Sequence, residues 1–570
     1  MLLALNRRLK VGYLVLAALI LVPALTALGS IALTTDELLE YQGVVDHLRF
    51  AQLVFKGEKP DLHEAIVYNL ENYGIVAKLP AYLVSRFAGI HAPVDYGQLA
   101  MDATPYGLYF QLSHLSAILL GLAGSALLII AARLIGIRLF WVPGLILLLT
   151  PRFSGDSIFN IKDVPFACFY LLYSLSLLLR LRRTFSHPGP VPASQLLLSA
   201  LAAGLMGSMK IVALLPVLIS EVVLVLLRPR RSRWIDGLHV VLDALLLSLL
   251  FTPASWLEPL RFLNGAIKLF RSHDWPGGTW WHGEFLSRVQ DPQHWSTAGY
   301  LLRWLPSVTP LWILLLALFG IWHLGRLAFA GARVGGDAPL LPRHHQPDEA
   351  IVLFLPFLLQ LLLLPVLAVI GNANLYDGVR HILFVYPPLA LLAALGLDRL
   401  CRRFSIGTAG PRTRMALLVV AVMAALTLLD LLTLFPYAYV YVNEPMRFFL
   451  NPANTAFDYW GFAATDASRA AITSLSGDRA LKHGCIASAD LPDPVRAMLA
   501  PKLRASACGI SPDLPLKSGA TLLRLVSAQE ADPQTCRSVS RWQWPWFRRT
   551  LSSACLEPVP HAAPPADPSP

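Results

Sequence analysis

The sequence is short of charge. Of its 570 residues, 15% are Asp, Glu, Lys or Arg, where soluble domains carry about a quarter. With 55% hydrophobic residues and a mean hydropathy of +0.55, that deficit excludes a string of soluble domains. It also changes what the formal charge of +11 means. In a soluble chain it would suggest nucleic acid; here it reads as Lys and Arg gathered on one side of a membrane. No Asn-x-Ser/Thr sequon occurs, which favours a bacterial chain over one from a secretory pathway. The six cysteines show no zinc-site spacing, and no internal repeat is evident.

What is present is a series of long apolar runs. A span needs about 20 apolar residues to cross a hydrocarbon core of about 30 Å. On that basis spans are expected near 11–34, 108–131, 139–155, 164–180, 193–209, 211–227, 236–254, 299–322, 350–371, 381–397 and 415–436. The run from Val11 to Leu33 exceeds the about 7–15 apolar residues of a signal peptide, so it reads as an uncleaved first span. With the N-terminus inside, every inside segment is basic, from "NRRLK" through "RLRRTF" and "RPRRSRW" to "DRLCRRFSIGTAGPRTR". Eleven spans then leave residues 437–570 outside.

The expected fold class is an α-helical polytopic membrane protein. Residues 1–436 form the transmembrane domain, with outside loops at 35–107 and 255–298. Residues 437–556 form a small α/β module with helices in "ATDASRAAITSLS" and "DPVRAMLAPKL" and strands in "GCIASA", "SACGI" and "TLLRLVSA". The Pro/Ala-rich residues 557–570 are an expected disordered tail. The module holds Cys485, Cys508, Cys536 and Cys555. An even number of cysteines in one polar region points to disulfides and an oxidising compartment. Of the three pairings, the one expected joins Cys536 to Cys555 across "RWQWPWFRR", and Cys485 to Cys508. The setting is a bacterial cytoplasmic membrane with this module in the periplasm.

Ionisable residues at span ends fall on the outside face. They are Asp36 and Glu37; Asp156, Lys162 and Asp163 in "PRFSGDSIFNIKDVPF"; Lys210; and Tyr376, Asp377, Arg380 and His381 in "NANLYDGVRHILFVYPP". A charge near the bilayer centre costs about 2.5–3.5 kcal/mol on insertion scales, and far less at the interface. Each group alone therefore reads as an interfacial anchor or a helix cap, and Glu40 as part of a solvated helical face. Together, carboxylates and cations at one depth suit a lipid-linked phosphate. Its tail would lie between spans and its phosphate would meet Lys and Arg. A carboxylate would take a proton from an acceptor hydroxyl. In the Trp-rich loop, Trp275, Trp280 and Trp281 read first as interfacial anchors, and His273, Asp274, His282 and Glu284 are weaker acceptor-contact candidates.

Five stretches in order, over residues 30–465, resemble the GT-C glycosyltransferases that use polyprenyl-phosphate sugars. That group includes protein O-mannosyltransferases and the aminoarabinose transferases of lipid A. The stretches are "TTDELLEY", "PRFSGDSIFNIKDVPFA", "FTPASWLEPL", "YDGVRHILFVYPPLALLAALGL" and "FPYAYVYVNEP" with "FDYWGFA". Val442 stands where the family usually has Phe, and the Gly-Gly that often follows is replaced by "EPMRFFLNPANTA". These departures bear on the acceptor.

The resemblance implies inverting transfer from a polyprenyl-phosphate donor to a hydroxyl acceptor of the cell envelope. Asp36 would deprotonate the acceptor, with Glu37 and Asp163 in support. Arg380, His381, Lys210 and Lys162 would balance the leaving phosphate, and Tyr41, Tyr376 and Trp256, inside the matching stretches, would contact substrate. Asp458 fixes the module on the membrane domain. No essential metal or other cofactor is expected, although Asp36, Asp156 and Asp163 leave a divalent cation open. The partners are then the donor, the acceptor and the bilayer, not nucleic acid. A transporter or flippase of a lipid-linked or anionic substrate is the rival reading.

Overall fold

A computed structural model describes residues 2–29, 31, 33–66, 70–90, 99, 103–186, 190–227, 231–271, 277–331, 347–405, 411–451, 455–460 and 462. It also describes four strands at 484–486, 521–527, 537–543 and 550–558. The protein is mostly helical. Among the described residues, seven helical segments are long and apolar enough to cross a membrane: Leu5–Ala27, Thr104–Ile135, Asp163–Thr184, Leu311–Phe329, Ile351–Ile370, Arg380–Arg402 and Arg414–Thr433.

The other four expected spans differ for identifiable reasons. Segment 139–155 is two short buried helices, Val142–Leu148 and Pro151–Phe159. Pro151 starts the second and holds Thr150 extended before it. Ala193–Met209 and Ile211–Leu227 are apolar but short, broken where Lys210 is extended. The helix Arg231–Leu250 carries Arg231, Arg233, Asp236 and Asp243 and is not among the seven. Proline also divides 299–322: Thr297–Val308 ends before Pro310, and the apolar helix starts at Leu311.

The segments Asp163–Thr184 and Arg380–Arg402 lie at the centre of the bundle and are the most buried of the seven, while Leu5–Ala27 and Arg414–Thr433 are the least. The central helix Tyr386–Ser405 crosses Leu311–Gly331 at a glycine pair. A Cβ on Gly396 would lie 2.2 Å from Leu316 O, and one on Gly320 2.2 Å from Leu392 O. Small residues at a crossing let backbones touch, which lipid-facing helices use for packing. Gly396→Val is therefore expected to lower stability by about 1–3 kcal/mol, measured as an earlier unfolding midpoint of the detergent-solubilised protein. An unchanged midpoint would contradict the crossing. Deeper in the bundle, Arg180 donates to both oxygens of Glu221 (2.6 and 2.8 Å), which also accepts from Tyr173 Oη. Ionisable groups within spans persist when paired and turned inward in this way.

The first long loop begins with the helix Thr35–Phe55. Its start is a capping box: Thr34 Oγ1 accepts from Glu37 N, and Glu37 Oε2 accepts from Thr34 N. In the Trp-rich loop, β1 (Thr279–Trp281) and β2 (Glu284–Leu286) pair antiparallel through His282 and Gly283, both with positive φ. Trp281 packs on Trp304, and Ala456 N donates to Trp280 O.

After the last span the chain stays with the bundle. Tyr437–Val442, Phe457 and Phe462 belong to the main core. Tyr439, Trp460 and Phe462 surround Phe159 of the helix Pro151–Phe159. Gly155 permits this contact, since a Cβ there would lie 2.3 Å from Tyr439 N. Asp458 accepts from Tyr439 Oη and from Phe462 N.

Farther on, β3 (Gly484–Ile486), β4 (Thr521–Ser527), β5 (Arg537–Gln543) and β6 (Thr550–Pro558) form a sheet in the order β3-β4-β6-β5. β3 and β4 run parallel, and β5 and β6 form the hairpin around "RWQWPWFRR". Cys485 lies in β3 and Cys555 in β6. Cys508, Cys536, the two expected helices, the strand at "SACGI", His273, Asp274, Trp275 and residues 559–570 lie outside the described residues, while 557 and 558, expected in the tail, end β6. Cys168 and Cys401 form no disulfide among the described residues, and Cys168 Sγ donates to Leu120 O.

Candidate functional site

Three helix starts and one loop converge at one end of the bundle. Thr35–Phe55 brings Asp36 and Glu40. The turn before Asp163–Ser186 brings Lys162 and Asp163. Lys210 lies at the break after Ala193–Met209, and Arg380 and His381 open the segment that leads into Tyr386–Ser405. Asn160 organises the second of these: its Oδ1 accepts from Lys162 N (3.3 Å) and Asp163 N (2.8 Å), while its Nδ2 donates to Asp156 Oδ1 and Asp163 Oδ2. This is the local reason for the sequence Asn-Ile-Lys-Asp.

The charges interlock. Asp36 Oδ2 accepts from Arg380 Nη1 and from Lys162 Nζ (3.2 Å). Arg380 Nη2 meets Asp377 Oδ2 at 2.8 Å, and its guanidinium lies over the rings of Tyr376 and Trp460. Lys210 Nζ donates to Asp163 Oδ1 at 2.7 Å. Lys162 also lies 3.6 Å from Glu40 and over the ring of Tyr73. Burial pushes the Asp36 carboxyl up, but Arg380 and Lys162 outweigh it and hold the group well below the usual carboxylate range. Burial likewise pulls the Lys162 ammonium down, and Asp36 and Glu40 raise it well above its ordinary value.

Lys162, Lys210 and His381 line a cavity of about 180 Å³ together with Phe166, Leu364, Ala368, Ile382 and Phe384, and Lys210 lies over the Phe166 ring. Tyr376 also lines it, with its ring edge-on to His381. His381 Nε2 is buried and meets no hydrogen-bonding partner among the described residues. The lining is therefore mostly apolar with two lysines and a histidine, a composition that suits an amphiphilic anion.

Not every expected site residue is here. Glu37 is buried in its capping box and against His114 Nε2, so its oxygens are committed to the start of the loop helix. Tyr41 is fully buried among Tyr82, Tyr106, Tyr109 and Phe110. Trp256 donates to Leu249 O and Leu250 O and packs on Phe55, at the far end of a helix about 28 Å from Asp36 by its rise per residue. Glu40, expected on a solvated helical face, is instead buried and paired with Lys78. At 2% exposure the carboxylate has such a partner to offset the cost of its burial. Glu284 pairs with Arg303 at the surface, and His282 N donates to Thr455 Oγ1.

Asp36, Asp156 and Asp163 are engaged separately, by Arg380 and Lys162, by Asn160, and by Lys210 with Asn160. Among the described residues no group of three His, Cys, Asp or Glu side chains is placed to hold a metal ion. Sequence reasoning missed Tyr73, Lys78 and Trp460 at this site. Only Trp460, inside the Asp-Tyr-Trp-Gly stretch, carried a signal. No protein-family profile matches the chain, and no curated protein matches it.

Proposed function

We propose that the protein is a membrane glycosyltransferase that moves a sugar from a polyprenyl-phosphate donor to a hydroxyl acceptor with inversion. The observation that carries this reading is the cavity that Phe166, Leu364 and Phe384 line together with Lys162, Lys210 and His381. The polyprenyl chain lies along Phe166, Leu364 and Phe384. The phosphate reaches Lys162, Lys210 and Arg380, whose charge offsets the negative charge that grows as the sugar–oxygen bond breaks. An already stable phosphate anion needs little help from a general acid. The site faces the periplasm of a bacterial cytoplasmic membrane, with the N-terminus in the cytoplasm and the chain crossing eleven times. The architecture is of the GT-C kind.

Purified protein incubated with labelled polyprenyl phosphates bearing mannose, glucose or an aminopentose, plus a membrane extract, is expected to deposit label on one acceptor. Passage of polyprenyl phosphate across the bilayer with no donor consumed would replace this reading with transport. In the same assay Asp36→Asn is expected to lower turnover about 100-fold, because Arg380 and Lys162 lose the carboxylate that fixes their positions. The donor KM should stay within a few-fold, since both cations remain. Wild-type turnover in that variant would sink the assignment.

A further inference from the structure

Two carboxylates share one guanidinium beside the cavity. Arg380 gives Nη1 to Asp36 and Nη2 to Asp377, and both carboxylate side chains remain about a quarter exposed. Their situations differ. Asp36 also meets Lys162, so a proton on Asp36 would leave two cations facing each other. Among the described residues Asp377 has Arg380 as its ion-pair partner, and a proton on Asp377 leaves Arg380 still balanced by Asp36.

The wider cluster is balanced as well: Asp36, Glu40, Asp163 and Asp377 stand against Lys78, Lys162, Lys210 and Arg380. A bound phosphate adds negative charge, and taking up one proton restores the balance. We propose that Asp377 receives the proton of the acceptor hydroxyl, while Asp36 stays ionised and holds Arg380 and Lys162 for the phosphate. This rests on the glycosyl-transfer reading and assigns its base.

The backbone supports a placed carboxylate. Asp377 has φ +57°, in the left-handed region, and its N–H donates to Thr279 Oγ1 of β1 at 3.0 Å. Residues in this region cluster at functional sites, where surrounding structure fixes them. In the step itself the acceptor oxygen bonds to the anomeric carbon. The bond from that carbon to the phosphate oxygen breaks, its electron pair leaves with the polyprenyl phosphate, and the hydroxyl proton passes to Asp377 and then to water. Burial pushes Asp377 up to about 6 against the pull of Arg380, a range suited to a base at neutral pH. The other charged and titratable groups around it are Asp36, Lys162 and Asp163, Tyr300 and Tyr459, and Arg152, whose Nη1 lies against Gly378.

The test uses the full-length protein in lipid nanodiscs, the three labelled donors and the membrane extract. The wild-type rate is expected to fall as pH drops through about 6, where the carboxylate protonates. Asn tolerates left-handed φ, so Asp377→Asn should fold with an unchanged melting midpoint. It should lose about 100-fold or more in kcat, keep donor KM within about threefold, and lose the acid limb. Asp377→Gly also suits the backbone, and added formate should recover its rate at least about tenfold by standing in for the carboxylate. An Asp377→Asn protein within about threefold of wild type, or one that keeps the acid limb, overturns the assignment, as does a failure of formate to rescue Asp377→Gly. A wild type that consumes none of the donors overturns the glycosyl-transfer reading itself.

Discussion

Arg380→Ala is expected to lower kcat/KM by about 1,000-fold or more. Removing one donor that stabilises developing charge costs about 10²–10³-fold in other active sites, and Arg380 does more than donate. It is 4% exposed, is bonded to Asp36 and Asp377, and lies over Tyr376 and Trp460. Its Nε is buried and meets no hydrogen-bonding partner among the described residues. Truncation leaves Asp36 and Asp377 facing the phosphate with less positive charge between them. Both donor binding and turnover should therefore fall. Arg380→Lys should recover only part of the loss, because an ammonium cannot span two carboxylates as a planar fork does. Donor binding unchanged in Arg380→Ala would show that the phosphate sits elsewhere.

Arg447→Ala is expected to destabilise the protein by about 3–5 kcal/mol, the usual cost of leaving one member of a buried ion pair behind. Arg447 and Asp430 are both fully inaccessible, with Nη2 to Oδ2 at 2.5 Å and Nη1 to Oδ1 at 3.2 Å. Arg447 Nε also donates to Val442 O at 2.7 Å. The pair therefore ties the segment after the last span to the helix Pro411–Thr433. Thermal unfolding in detergent measures the effect. Replacing both partners, as Arg447→Met with Asp430→Leu, should recover most of the loss, because no buried charge is then left alone. A single Ala variant as stable as wild type would mean that the pair contributes nothing.

The site was legible where it depended on position along the spans. Lys162 and Arg380 are 126 and 344 residues from Asp36, yet all three lie at ends of apolar runs that meet at one end of the bundle. The cap was legible too, since Thr34 and Glu37 have the spacing of a capping box. What was not legible required knowing which face of a helix turns inward. Glu40 and Tyr41 are adjacent in sequence, and nothing local says that one pairs with Lys78 while the other enters an aromatic core. Trp256 sits in a stretch that matched the family pattern, but one helix length separates it from Asp36. Helix boundaries inside the apolar runs were not legible either, because hydropathy averages across Pro151 and Pro310, where the backbone leaves the helix.

The contact between Gly155 and Tyr439 has a consequence for how the protein is made. Asp36, Lys162, Asp163 and Lys210 lie before residue 220, Asp377 and Arg380 follow much later, and Trp460, which covers the guanidinium, comes after the last span. Chains emerge from the ribosome N-terminus first. A nascent chain that ends before residue 437 lacks Trp460 over the guanidinium and the aromatic cluster of Tyr439, Trp460 and Phe462 around Phe159. The cover over the Arg380 guanidinium thus waits for the residues that follow the last span, and chains that end before them lack it.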